Sequence, residues 1–139
     1  MKLATAPLDK GSPLGGIRVL VVDDAPYVLE MVTEILEHGG AMVTAVDSAE
    51  EALARLQAER PHVLLSDLAM PGKGGYWLIG QVRALSPERG GRTPAAALTA
   101  YAGPEHRASA LRAGFQDHVE KPVEVQELVG IVATLAVKE

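Results

Sequence analysis

Four places in the chain put residues able to handle cations and phosphate at or just past the ends of short candidate strands. Asp23 and Asp24 follow residues 17–22, Asp67 follows 63–65, Thr99 follows 94–98, and Lys121 follows 117–119. Three carboxylates held together repel one another, and one would keep a proton unless a cation compensates. Mg²⁺ suits such a group, because it is a hard ion that takes oxygen ligands and often uses one or two carboxylates together with a phosphate. Each residue also has a plainer reading. Asp23 or Asp24 alone could cap a helix opening near Ala25-Pro26. Thr99 could be an ordinary strand-end hydroxyl, and a lysine before Pro122 is usually solvated. Capping accounts for one aspartate and leaves the other polar strand ends unexplained.

The elements that must position these groups alternate. Ile17 and Val19 to Val22 form a continuous β-branched run, as in a parallel strand covered on both faces. Val28, Met31, Val32, Ile35 and Leu36 recur at helical spacing, and Gly39-Gly40 stop that helix. Residues 41–46 read as a second strand. Ser48 with Glu51 opens a helix carrying Ala52, Leu53 and Leu56, which Pro61 breaks. Residues 63–65 are a third strand, and a Pro- and Gly-rich loop over 70–75 leads to a helix with Trp77, Leu78, Val82 and Leu85. A fourth strand over 94–98, a helix over about 104–113 stopped by Gly114, a short strand over 117–119 and a last helix with Val125, Leu128, Val129, Val132 and Leu135 complete the chain. Five strands alternating with five helices imply an α/β fold, a parallel sheet with helices on both faces. In such sheets ligands bind outside the carboxyl ends of the strands.

Composition narrows the class. The 139 residues, 47% hydrophobic and 22% charged, fit one globular domain. Residues 1–16 lack apolar periodicity and read as a mobile leader or linker remnant, with the domain over 17–137. No apolar run approaches the roughly 20 residues of a membrane span, so no membrane insertion is expected. Cysteine is absent, which excludes disulfides and thiolate metal sites and fits a cytoplasmic location. A net charge of −5 without a basic stripe argues against nucleic acid as a direct ligand. His38, His62 and His106 share no ligand spacing, which disfavours zinc.

The run Val19-Leu20-Val21-Val22-Asp23-Asp24, then Ser66-Asp67-Leu68-Ala69-Met70-Pro71 with Gly75 beyond, then Leu98-Thr99-Ala100, then Lys121-Pro122, closely resembles receiver domains of response regulators. The likeness covers about residues 17–137. It implies a flavodoxin-like fold with strand order 2-1-3-4-5. It implies that Asp67 is phosphorylated by a phosphohistidine of a histidine kinase or histidine phosphotransfer protein. Mg²⁺ would be held by Asp23, Asp24, Asp67 and the backbone carbonyl of Ala69, while Thr99 and Lys121 would bind phosphoryl oxygens. A Lys-Pro bond of this kind is typically cis in the family. The chemistry agrees, since phosphoryl transfer needs an in-line nucleophile and positive charge on the equatorial oxygens, and a carboxylate can form the covalent intermediate. The stretch from Leu98 through Leu135 looks like receivers attached to hybrid histidine kinases, so an attached kinase or output domain is a further expectation.

Some positions depart from the family. His118 stands where an aromatic switch residue is usual, either to swing with Thr99 or to sit exposed and respond to pH. Tyr101 would cover the pocket or be a partly exposed loop aromatic. The loop Gly72-Lys73-Gly74-Gly75 is unusually glycine-rich, either mobile or a docking surface, and lacks the spacing of a Walker motif. Two other functions compete with a non-enzymatic phosphoacceptor switch. An aspartyl-phosphate phosphatase would want a general acid where Ala69 stands. A bare interaction module would predict erosion of the acidic positions, and none is eroded.

Overall fold

Residues 12–101 and 103–137 are described by a computed structural model. Five strands, β1 (Arg18–Val22), β2 (Met42–Val46), β3 (Val63–Asp67), β4 (Ala95–Thr99) and β5 (Asp117–Glu120), form one parallel sheet in the order β2-β1-β3-β4-β5. All five residues of β3 and of β4 are buried, while the edge strand β2 buries only Val46. That contrast explains the continuous apolar runs of the central strands.

Successive strand residues point to opposite faces, so one run feeds two cores. Val19, Val21, Val63, Leu65, Ala96 and Leu98 pack with α1 (Pro26–His38) and α5 (Val125–Ala136). Leu20, Val22, Leu64, Ala95 and Ala97 pack with α2 (Ala49–Glu59), α3 (Gly75–Ala84) and α4 (Pro104–Ala113). Among the described residues no helix is long and apolar enough to cross a membrane.

The helix ends follow the sequence signals closely. Ser48 accepts a hydrogen bond from the Glu51 N–H at 3.2 Å. Arg60, in the left-handed region at φ 51°, closes α2 ahead of Pro61. A short 3₁₀ turn at Pro87–Arg89, which the apolar pattern does not show, links α3 to β4. Ser12 to Gly16, placed ahead of the domain on sequence grounds, are partly built into it. Leu14 is fully buried against the α1–α5 core, and its N–H donates to the Gly39 carbonyl at 2.8 Å. A single apolar side chain has no periodicity to announce it; the rest of the expected leader lies outside the described residues.

The glycine-rich loop has a steric reason. Gly75, the first residue of α3, donates its N–H to the Leu68 carbonyl at 3.0 Å. A Cβ there would fall on the Asp67 carbonyl oxygen, and one at Gly74 would lie 2.6 Å from the Leu68 carbonyl oxygen. Bare backbone lets α3 start tight against the end of β3. Gly80, in the exposed face of the same helix, has open space where a Cβ would go. Gly75→Ala should therefore lose about 1–3 kcal/mol in urea unfolding, whereas Gly80→Ala should gain about 0.5–1 kcal/mol. Equal effects at the two glycines would contradict this packing.

Candidate functional site at the carboxyl edge of the sheet

The strand order brings the ends of β1, β3, β4 and β5 side by side, and Asp23, Asp67, Thr99 and Lys121 stand there. Asp23, just past β1, is fully buried. Its Oδ1 accepts the Ala25 N–H at 2.9 Å, which fixes the turn into α1, although the helix itself has no side-chain N-cap. Asp23 thus plays the helix-entry role and still offers Oδ2 to the site. Asp67 is the last residue of β3 and is 5% exposed. Asp24 is exposed. One carboxylate oxygen from each of Asp23, Asp24 and Asp67 lies within 4.8 Å of the other two.

Lys121 reaches into this group from the end of β5. Its ammonium donates to Asp23 Oδ2 at 2.9 Å and to Asp67 Oδ1 at 3.3 Å. The Lys121 N–H donates to the Thr99 carbonyl at 2.7 Å, and the Lys121–Pro122 peptide bond is cis. Burial would lower the Lys121 pKa, but hydrogen bonding to Asp23 and the charges of Asp23 and Asp67 outweigh it and hold the ammonium above its ordinary value. Asp67 is pushed the other way. Burial first and the charge of Asp23 second raise its carboxyl pKa, and Lys121 and the Ala69 backbone N–H offset only part of the rise. One ammonium therefore does not fully balance the acids. That deficit, together with an all-oxygen donor set, fits a small hard dication such as Mg²⁺.

Thr99 is almost fully buried at the end of β4, and its Oγ1 accepts the Tyr101 N–H at 2.9 Å. A hydroxyl that accepts in this way still has its own proton to donate. Tyr101 is exposed, with its ring stacked on His106 at a centroid separation of 5.3 Å. This is the loop-aromatic arrangement. His118 is buried in β5, which rules out the exposed alternative drawn from the sequence, and its Nε2 has no hydrogen-bond partner among the described residues. Trp77 lies half-buried with the Lys73 ammonium 5.3 Å from its ring centroid. The Ala25 N–H contact and the Gly74-Gly75 approach are parts of the site that the acidic pattern did not reveal, although the glycine pair after Asp67 was the visible signal.

A carboxyl whose pKa rises on folding favours the folded state below its ordinary value of 3.8 and loses that advantage as pH rises through the raised value. Ionised Asp67 is thus a cost to stability at neutral pH without divalent cations. Asp67→Asn should raise Tm by a few degrees at neutral pH in chelator, with the gap closing below about pH 4. A variant less stable than wild type under those conditions would contradict the charge balance described.

Comparisons with known proteins agree with this geometry. The family model for the response regulator receiver domain matches residues 19–133. An uncharacterised 14.6 kDa protein of Leptolyngbya boryana is 47% identical over 119 residues, covering 86% of this chain and 89% of that protein. Sensor protein GacS of Pseudomonas syringae pv. syringae is 37% identical over 127 residues, which cover 89% of this chain but only 14% of GacS. The receiver domain of sensor histidine kinase PA1611 from Pseudomonas aeruginosa, solved with a magnesium ion coordinated in its active site cleft, superposes with a TM-score of 0.79 at 31% identity, covering 88% of this chain and 98% of that one. With the sheet order, the acid cluster and the match over residues 19–133 in agreement, the chain belongs to the response regulator receiver domain family.

Proposed function

We propose that the chain is a phosphoacceptor: Asp67 takes a phosphoryl group from the phosphohistidine of a histidine kinase or histidine phosphotransfer protein. The observation that carries this reading is the convergence of a desolvated Asp67, two further aspartates and one lysine at a single sheet edge. A carboxylate oxygen of Asp67 attacks phosphorus, the phosphorus–nitrogen bond to imidazole breaks, and the freed ring nitrogen takes a proton from solvent. Asp67 loses its carboxylate charge to the new acyl phosphate linkage, and the transferred phosphoryl group brings its own negative oxygens into the site. Lys121, now bonded to Asp23 and Asp67, turns to a phosphoryl oxygen as a mobile point charge. Thr99 donates its hydroxyl proton to another, which draws the loop after β4 inward and biases a two-state surface around α4, β5 and α5.

Asp23, Asp24, Asp67 and the Ala69 carbonyl would hold Mg²⁺, which when bound neutralises charge on the phosphoryl oxygens. The magnesium ion in the PA1611 receiver supports that assignment. Ala69, exposed beside Asp67, offers no proton, so prompt hydrolysis by a general acid at that position is disfavoured. Similarity to a segment of GacS supports a receiver of the kind carried by sensor kinases.

Incubation with acetyl phosphate and Mg²⁺ should add one phosphate by intact mass, acid-stable, base-labile and absent in Asp67→Asn. Thr99→Ala should slow its acquisition by about a hundredfold, the scale of losing one donor to developing charge. Equal phosphate on wild type and Asp67→Asn would sink the reading. Separately, Mg²⁺ without phosphodonor should raise the Tm of wild type and much less that of Asp24→Asn, as binding to the folded state alone requires. Equal Mg²⁺ shifts in both proteins would remove Asp24 from the ligand set.

A further inference from the structure

The amino ends of the strands, opposite the acid cluster, carry the reverse charge. A cavity of about 740 Å³ there is lined by Arg18, Arg60, His62, Arg83 and Arg92, with Thr93 and Gln116 among the other lining residues, and no carboxylate of the described residues lines it. Strands of five residues at about 3.3 Å each put it roughly 17 Å from Asp67. The chain as a whole is acidic, at −5, so four guanidiniums in one basin run against its composition.

Backbone stapling explains part of the basin. Arg83 donates to the Gly91, Thr93 and Gly114 carbonyls, and Arg60 to those of Pro87 and Glu88. Arg18 donates through Nη1 to the Glu59 carbonyl at 2.6 Å. These bonds to neutral carbonyls spend donors without cancelling charge, and the Glu59 carboxylate, which feels the Arg18 charge, stands outside ion-pair distance of it. Among the described residues none of Arg18, Arg60, Arg83 and Arg92 forms an ion pair with a carboxylate, whereas Arg55 and Arg107 both do. Burial lowers the Arg83 pKa, and its donors are taken up by the Gly91, Thr93 and Gly114 carbonyls and the Gln116 Oε1, so Arg83 adds charge to the basin more than free N–H groups. Stapling also leaves Arg92 unexplained, since it is exposed with no side-chain hydrogen bond among the described residues. His62 accepts the Arg18 N–H on Nδ1 at 2.9 Å, so its Nε2 is the nitrogen left to donate.

We propose that this basin binds a small multiply charged phosphate anion, an oligophosphate free or borne by a nucleotide. The Arg92 fork, unengaged among the described residues, can meet phosphate oxygens in a pair, while Arg18, Arg60 and Arg83 supply positive charge around it. The volume falls within the range of small-molecule sites, and the walls contributed by Pro61, Pro87 and Pro94 are rigid. The inference goes beyond phosphorylation at Asp67 and stands independently of it.

Titration calorimetry of the full chain with tripolyphosphate and with ATP tests it, in chelator and without phosphodonor, so that the acid cluster plays no part. Saturable one-to-one binding at physiological ionic strength is expected, weakened about tenfold or more in Arg92→Ala. Arg92→Lys should fall between them, because it keeps the charge and loses the fork. Arg112→Ala, which removes the same charge from an exposed site on α4, should bind as wild type does. Similar affinities for the two probes mean the phosphates alone are read, and tighter ATP binding means the nucleoside is read as well; both support the site. Absence of saturable binding, equal weakening by Arg112→Ala, or binding of a glutamate-rich peptide in place of both probes would overturn it. Circular dichroism of Arg92→Ala verifies its fold, and Arg18→Gln is a second basin variant expected to weaken binding in the same direction.

Discussion

Asp23 and Asp67 are both withdrawn from water, and among the described residues the ammonium of Lys121 is the one cation placed between them. Burying two carboxylates beside each other is costly, and a single lysine shared between them compensates incompletely. That incomplete balance raises the Asp67 pKa and holds the Lys121 ammonium on. It also ties three strands together chemically, because the groups come from just past β1, from the end of β3 and from just past β5. A site balanced this way is responsive. Any change that adds positive charge or moves negative charge outward alters what Lys121 is bonded to.

The sheet makes the arrangement reproducible. β3 and β4 are buried along their whole length, so the end of β3 is held by packing on two faces. The start of α3 sits against that end only because Gly74 and Gly75 carry no side chain. On the far side of β4, Thr99 is tied by its carbonyl to Lys121 and by its hydroxyl to the Tyr101 backbone. One residue therefore joins the charged pocket to the loop after β4, and His118 lies buried on the neighbouring strand with Nε2 unpaired among the described residues.

The two ends of the sheet have opposite electrostatic character. Acids gather where the strands finish, and arginines gather where they begin. Parallel strands make this segregation simple, since every strand presents its carboxyl end to the same edge and its amino end to the other. The arginines hold loop carbonyls, which joins α2, the 3₁₀ turn and α3, while none of the four forms a direct ion pair with a carboxylate among the described residues.

Alternation of β-branched runs with helical spacing determined the α/β class and the order of elements, because burial on two faces needs continuous apolar strands and a helix needs its stripe. Local chemistry likewise marked the Ser48 cap and the stops at Gly39 and Gly114, since each depends on residues within a turn of chain. The acidic and lysine strand ends were legible as a set for the same reason: once the strands are parallel, their ends must share an edge. Contacts between segments distant in sequence were decided only by the tertiary structure. Leu14 joined the core, His118 went inside, and four scattered arginines converged. None of these has a periodicity or a local partner to declare it, and each depends on which surfaces meet when helices close over both faces of the sheet.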